Sequence, residues 1–122
     1  FNLALRTGNT EAVSTIGTKL VDAAIANKDA AGLNQIAWSI VDPEAEVEKR
    51  DVALALRAAE KAAEFTEWKD AAILDTVARV YAWKGDFAKA IELQTKALEH
   101  ANEQLKADIV RALEEYQGKL KK

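Results

Sequence analysis

Apolar residues recur at three- and four-residue intervals along much of this chain, which is the period of a helix with one buried face. The pattern is clearest over residues 70–102, where two periodic runs flank a turn at Lys84, Gly85 and Asp86. Gly85 suits the left-handed position that ends a helix, and Asp86 suits the N-cap of the next one. This stretch therefore predicts a hairpin of two helices. Its apolar face comprises Leu74, Val77, Ala78 and Tyr81 in the first helix, and Phe87, Ala90, Ile91, Ala97 and Leu98 in the second.

A second copy of this hairpin lies earlier in the chain. In the first helix, Asp29 and the residues after it match Asp70 and the residues after it at an offset of 41. In the second helix, Asp51 matches Asp86 at an offset of 35. The offsets differ by six, so the turn of the earlier copy carries an insertion within residues 41–50. We expect the helix before the insertion to stop at Asp42, because a residue that precedes proline disfavours the helical conformation. The corresponding apolar positions are Leu33, Ile36, Ala37 and Ile40, then Ala55, Leu56 and Ala62.

Shorter patterns flank the two hairpins. Residues 1–6 read as the last turns of a helix, and a turn at 7–10 leads to a helix over 11–26. Its predicted buried face comprises Val13, Ile16, Leu20 and Ala24. At the other end, an amphipathic helix is predicted with Leu105, Ile109, Leu113, Tyr116 and Leu120 on its inner side. The chain is thus predicted as a single helical-repeat domain: a partial repeat at 1–28, a repeat with an inserted turn at 29–69, a repeat at 70–102 and a capping helix at 103–122.

The hairpin at 70–102 resembles a tetratricopeptide repeat, whose unit is about 34 residues long. Two positions depart from the family pattern, since Gln94 stands where an aromatic residue is usual and Asn102 where proline is usual. The resemblance implies an all-α, right-handed stack of antiparallel helix pairs that binds a protein or peptide. The residues that carry it are Leu74, Val77, Ala78, Tyr81, Gly85, Asp86, Phe87, Ala90 and Ala97.

A wider resemblance covers residues 10–115, which are similar to the helical region C-terminal to thioredoxin-like (redoxin) domains in some bacterial proteins. The segments that carry it are 33–42, 49–62 and 72–81. It implies an arm of a larger thiol-redox protein whose cysteines lie elsewhere. Such a parent would be periplasmic or exported, and without it we expect a cytoplasmic protein. This chain has no cysteine, so no redox residue is carried over. Phe1 is no translation start, so we expect a processed or excised piece.

Composition narrows the classes of partner. Hydrophobic residues make up 49% of the chain and charged residues 30%, which is typical of a globular protein. The net charge is −3 with both signs interspersed, and the lack of a basic face argues against nucleic acid. No apolar run approaches the roughly 20 residues that a membrane span requires, so membrane insertion is not expected. We interpret the inserted acidic residues Glu44, Glu46 and Glu48 as a solvated loop, with a cation or a basic partner as the alternative.

The candidate binding residues are those of the first helix in each hairpin that lie between core positions, because these would face the concave groove of a tetratricopeptide stack. Tryptophan and arginine are the residue types that most often dominate the energy of an interface. We therefore predict a groove for an extended or helical peptide. In the alternative, the tryptophans pack against neighbouring helices and Arg79 pairs with Asp75. The family's carboxylate clamp needs lysines that are missing here, so recognition of an acidic peptide C-terminus is not predicted. The groove candidates are Asn34, Trp38, Val41, Asp75, Arg79 and Trp83.

No catalytic residue, metal site or cofactor is predicted. His100 is the sole histidine and has no thiol or second imidazole to complete a metal site or a catalytic dyad. The carboxylate pairs Glu46/Glu48 and Glu114/Glu115 lie in charged stretches that we expect to be solvated. The predicted function is a non-enzymatic interaction or scaffold module with an unidentified protein or peptide partner. The alternative is a structural or self-association arm of a thioredoxin-like oxidoreductase.

Overall fold

The computed structural model describes residues 10–42 and 51–121, and for residues 10–15 it describes the backbone alone. Within these ranges the chain forms helices and no strand, so the predicted all-α class is confirmed. The predictions for residues 1–9 and for the inserted turn at 43–50, with Glu44, Glu46 and Glu48, lie outside the described residues. The helices are α1 (Thr10–Ala26), α2 (Ala30–Val41), α3 (Val52–Phe65), α4 (Ala71–Trp83), α5 (Phe87–His100) and α6 (Glu103–Leu120).

The helix starts of both hairpins are capped by aspartates at equivalent positions. Asp29 and Asp70 precede α2 and α4, while Asp51 and Asp86 precede α3 and α5, and each side chain accepts a hydrogen bond from a backbone amide of the first turn. These bonds satisfy amides that have no partner inside the helix. The helix starts therefore repeat with the offsets that the sequence indicated. Asn102, which occupies the position of the expected proline, caps α6 in the same way.

The predicted helix ends are also confirmed. Gly85 has a φ of +84°, the left-handed conformation that lets the chain leave α4 and enter α5 within a few residues. Helix α2 ends at Val41, and Asp42 is its C-cap, as expected for the residue before Pro43. The first helix of each hairpin therefore ends where the local sequence favours it.

The core lies where each helix packs against its successor. Helices two apart in sequence also touch, α1 with α3, α2 with α4 and α4 with α6, so α2, α4 and α6 lie side by side. Leu33 and Leu74, which occupy equivalent positions in the two hairpins, are both fully buried. Helix α3 buries five alanines, which allows its neighbours to approach closely. No described helix has the length and apolar character that crossing a membrane requires.

The predicted buried face of α1 is wrong at Ile16 and Leu20, whereas Ala24 packs against the core and the side chain of Val13 lies outside the described residues. Ile16 and Leu20 are 39% and 41% exposed, whereas Val21 is fully buried and Gly17 is buried beside it. Gly17, Val21 and Ala24 follow one another at intervals of four and three residues, so they form a helical stripe of small side chains. Helix α1 turns the stripe with Gly17 and Val21 toward α2 and α3. These small side chains allow closer packing between helices than Ile16 and Leu20 would.

The inner face of α6 is shorter than predicted. Ile109, Ala112 and Tyr116 are buried, but Leu120 is 54% exposed. Helix α6 has 18 residues and α5, against which it packs, has 14, so the last turn of α6 is left uncovered. The face that α6 turns toward the rest of the fold therefore ends at about Tyr116.

Candidate functional site

An open pocket of about 450 Å³ lies on the face shared by α2, α4 and α6, and we call it the three-helix pocket. Three of the predicted groove residues, Trp38, Asp75 and Arg79, line it together. The predicted juxtaposition of the two hairpins at this face is therefore present in the structure. The charged and aromatic lining consists of Trp38 and Asp42 from α2 and its C-cap, Asp75 and Arg79 from α4, and Asp108, Arg111 and Glu115 from α6.

Arg79 is held in place by two residues of α6. Its Nη1 lies 2.9 Å from Glu115 Oε2, and its guanidinium carbon lies 4.9 Å from the centre of the Tyr116 ring. Its side chain is only 11% exposed, and the Nε–H is buried without a hydrogen-bond partner among the described residues. A guanidinium over an aromatic ring and against a carboxylate is stabilised by both. The ion pair of Arg79 thus runs to Glu115 rather than to Asp75, which the alternative interpretation had paired with it.

Asp75 is held by the amide of Gln94. Gln94 Nε2 donates one hydrogen bond of 2.7 Å to Asp75 Oδ1 and another of 3.1 Å to the Ile109 carbonyl oxygen, so it connects α4, α5 and α6. Gln94 is fully buried and occupies the position where an aromatic residue was expected. Burial raises the pKa of the Asp75 carboxyl above its ordinary value, while the Gln94 hydrogen bond and the charge of Arg79 oppose that rise. The carboxylate is thus fixed at the pocket wall in a partly desolvated place.

The tryptophans of the two hairpins have different roles. Trp38 is half-buried in the wall of the three-helix pocket. Trp83 is 44% exposed and donates a hydrogen bond of 2.6 Å from its indole nitrogen to the Val41 carbonyl oxygen. It lines a second, smaller pocket of about 230 Å³, which shares Arg79 and Glu115 with the first. Trp83 therefore lies beside the three-helix pocket rather than inside it.

The other two candidates do not face the pocket. Val41 is fully buried in the core, so its predicted place in the groove is wrong. Asn34 lies one helical turn before Trp38 and does not line the pocket, and its Oδ1 is buried without a hydrogen-bond partner among the described residues. The spacing along a helix therefore predicts the side on which a residue lies. It does not predict whether a neighbouring helix covers that side.

Sequence reasoning missed the contribution of α6. The charged side of α6 faces solvent as predicted, since Asp108 and Arg111 are 74% and 80% exposed, but together with Glu115 these residues also line the pocket. They recur at intervals of three and four residues, so they form one stripe along the helix. Because α6 packs beside α4, this stripe lies next to Asp75 and Arg79 at the pocket. The signal in the sequence was the stripe itself.

The pocket brings charged and aromatic side chains of three helices together. Across residues 10–42 and 51–121, no three or more histidine, cysteine, aspartate or glutamate side chains are grouped so that they could hold a metal ion. His100 lies exposed in the last turn of α5. The pocket presents an aromatic wall, two arginines that each face a carboxylate, and the partly buried carboxyl of Asp75.

Comparison with known proteins found no match among protein-family models, curated proteins or solved structures. The resemblances to tetratricopeptide repeats and to the C-terminal region of thioredoxin-like proteins therefore stay predictions.

Proposed function

We propose that this chain is a non-enzymatic interaction module that binds a peptide segment of a partner protein across the three-helix pocket. The observation that carries the proposal is the convergence of Trp38, Asp75 and Arg79 from two separate hairpins on one open pocket of about 450 Å³. A cleft of this size lies in the range of about 300–1,000 Å³ that ligand sites occupy in proteins. Helix α6 completes its lining.

We further propose that the helices form a right-handed stack of tetratricopeptide type. The support is the packing of α2 beside α4 and of α4 beside α6, together with equivalent aspartate caps at both hairpins. A stack of this kind exposes a long concave surface while its core holds the shape. Such a surface suits an extended segment that touches several helices at once.

The pocket is prearranged for binding. Arg79 is fixed by Glu115 and Tyr116, and Asp75 is fixed by Gln94, so neither side chain has much freedom left to lose when a ligand arrives. Affinity increases when groups are ordered before binding, because the entropic cost of ordering them falls. Trp38 adds a large aromatic surface, and tryptophan and arginine are enriched among the residues that dominate interface energy.

The test is selection of peptides against the full chain from a random displayed library, followed by affinity measurement for individual peptides. We expect selected peptides to bind Trp38→Ala about tenfold more weakly than the original chain, as for a central interface residue. The matched control is Trp68→Ala, which removes the same side chain from the turn between α3 and α4. Circular dichroism confirms that both variants are folded. A library that yields no binder, or binders equally weakened by both variants, contradicts the proposal.

The second candidate function is a self-association arm, as expected if the chain belongs to a thioredoxin-like parent. The observation that favours it is the exposure of Ile16 and Leu20, one helical turn apart on α1. Sedimentation velocity over a range of concentrations separates the two candidates. Self-association that disappears in the variant Leu20→Lys would support the arm, whereas a monomer at every concentration would exclude it.

A further inference from the structure

We propose that the smaller pocket beside the three-helix pocket receives an apolar side chain of the bound segment, while a neighbouring acidic residue of that segment places its carboxylate at Lys119. The occupant is thus a leucine or phenylalanine flanked by aspartate or glutamate, supplied by the partner protein. This inference rests on the proposed peptide-binding function and specifies what the peptide must carry.

The smaller pocket has apolar walls and the size of one side chain. The walls are Ala82 and Trp83 in the last turn of α4 and Phe87 at the start of α5. Its volume of about 230 Å³ is smaller than the range of about 300–1,000 Å³ in which whole ligands bind. The pocket therefore suits a single side chain of a longer segment.

The smaller pocket continues the three-helix pocket, because Arg79 and Glu115 line both. A segment that lies across the three-helix pocket can thus place its next side chains in the smaller one. Arg79 also has a buried Nε–H without a hydrogen-bond partner among the described residues. A buried donor without a partner is costly, so an oxygen of the segment that reached it would be stabilised.

Exposed apolar surface is concentrated at this end of α4 and α6. Four large apolar side chains are exposed among the described residues, and two of them are Trp83 and Leu120, at 44% and 54%. Trp83 lines the smaller pocket, and Leu120 follows Lys119, which lines it as well. Apolar surface grouped beside charged residues is typical of a site that binds another protein.

Lys119 gives the rim of the smaller pocket a positive charge in excess. The charged lining consists of Arg79, Glu115 and Lys119. Glu115 lies 2.9 Å from Arg79, whereas Lys119 makes no ion pair with any residue that the structure describes. A carboxylate of the bound segment is the group that complements this free ammonium.

The charge of the whole chain makes this preference a local one. The net charge is −3, so general attraction favours a basic peptide over an acidic one. A preference for an acidic peptide can therefore arise only from a positive region of the surface. The rim of the smaller pocket at Lys119 is such a region.

The test uses four pools of fluorescent nonapeptides with acetylated and amidated ends, whose outer residues are drawn from serine, threonine, glycine and glutamine. The central tripeptide is Glu-Leu-Glu, Gln-Leu-Gln, Glu-Ser-Glu or Lys-Leu-Lys. We expect Glu-Leu-Glu to bind the full chain about tenfold more tightly than Glu-Ser-Glu, because leucine buries apolar surface. It should bind about two- to fivefold more tightly than Gln-Leu-Gln, as for an exposed ion pair. This second advantage should disappear in about 1 M sodium chloride, which screens exposed charges.

Variants locate the effect. Lys119→Glu should reverse the charge preference, so that Lys-Leu-Lys binds more tightly than Glu-Leu-Glu. Lys106→Glu is the matched control, because Lys106 is exposed on the same helix outside the lining of both pockets and its replacement changes the net charge equally. Ala82→Leu should fill the pocket and remove the advantage of leucine over serine. Leucine is a good helix former, and circular dichroism confirms that each variant is folded.

The outcomes separate the inference from the function on which it rests. Library-selected peptides that Trp38→Ala weakens, together with pools that bind equally or not at all, would overturn the inference and leave peptide binding intact. A preference for Glu-Leu-Glu that Lys119→Glu does not reverse, or that Lys106→Glu reverses as well, would also overturn it.

A second copy of the chain is the competing occupant. Self-association in sedimentation velocity that Lys119→Glu abolishes would assign the pocket to that copy and overturn the inference. No binder from either the library or the pools would overturn both the inference and the proposed function. A charge preference that reverses in Lys119→Glu and persists in Lys106→Glu, with a leucine preference that Ala82→Leu removes, establishes the site.

Discussion

The indole nitrogen of Trp83 lies 2.6 Å from the carbonyl oxygen of Val41, the last residue of α2. This oxygen belongs to the final turn of a helix, where carbonyls have no partner within the helix itself. The bond therefore satisfies a helix end and connects α4 to α2. Since Trp38 lies on α2 and Arg79 on α4, it also holds the two walls of the three-helix pocket together.

Trp83→Phe keeps an aromatic ring and removes this hydrogen bond. We expect the free energy of unfolding to fall by about 1 kcal/mol, as for the loss of one hydrogen bond. Urea denaturation followed by circular dichroism measures it. Trp68→Phe is the control for reduced ring size, and its effect should be subtracted. If the two substitutions cost the same, the bond to Val41 contributes nothing to stability.

Asp75→Asn should stabilise the chain at neutral pH. Burial raises the pKa of the folded carboxyl above the unfolded value of 3.8, so the folded state holds its proton more tightly. Stability is then lost as pH rises from that value through the folded pKa, because the native state must carry the buried charge. Melting temperatures of both proteins should converge below pH 3.8 and diverge above it, with the variant higher. A variant less stable than the original chain at pH 7 would contradict the direction of this shift.

Arg79 and Glu115 should contribute unequally to stability although they form one ion pair. Glu115→Gln removes a half-exposed charge and should cost less than about 1 kcal/mol, as for surface pairs. Arg79→Ala removes a buried side chain that packs on Tyr116, and should cost about 2–3 kcal/mol. Chemical denaturation of both variants checks the ranking. Equal losses would show that the ion pair, rather than the packing of the arginine, stabilises the contact.

Tyr116→Phe should leave stability unchanged or raise it by up to about 1 kcal/mol, because a buried polar group without a partner is costly. The Tyr116 hydroxyl is buried and has no hydrogen-bond partner among the described residues, and the ring on which Arg79 rests is retained. Tyr81→Phe, at a half-exposed tyrosine, is the comparison. A loss of 1 kcal/mol or more in the first variant alone would mean that the hydroxyl is well bonded.

The hairpins could be predicted because their signals are local. The aspartate caps act on amides two or three residues away, Gly85 sets its own backbone conformation, and Pro43 restricts the residue before it. The inner face of α4 could be predicted in part: Leu74, Val77 and Ala78 are fully buried as expected, but Ile73 and Val80 are buried as well.

The errors concern positions where the choice depends on a neighbouring helix. On α1 two apolar stripes compete, and the stripe with Gly17 and Val21 is buried because it allows closer packing, although Ile16 and Leu20 are larger. The polar stripe of α6 is exposed as predicted, but its place beside the pocket follows only from the packing of α6 against α4. Which side of a helix is buried depends on how the helices pack against one another. The spacing of residues along a single helix does not determine this.

The candidate site was predicted in outline only. Trp38, Asp75 and Arg79 meet as expected, but the residues that hold them do not follow from the pattern of α2 and α4. Gln94 looked like a departure from a repeat pattern, and the structure shows that it bonds Asp75 across two helices. A departure of this kind, a polar residue where the repeat expects an aromatic one, is the signal that could have drawn attention to Asp75.

The most direct test of peptide binding at the three-helix pocket follows the three indole N–H cross-peaks of the ¹⁵N-labelled full chain by NMR during titration with the tightest-binding peptide selected from the library. Trp38, Trp68 and Trp83 then report on the pocket, on a turn that lines neither pocket, and on the adjoining smaller pocket. We expect the Trp38 cross-peak to shift most, in proportion to the bound fraction, and the Trp68 cross-peak to stay in place. A saturated complex in which the Trp38 cross-peak has not moved would contradict binding at this pocket.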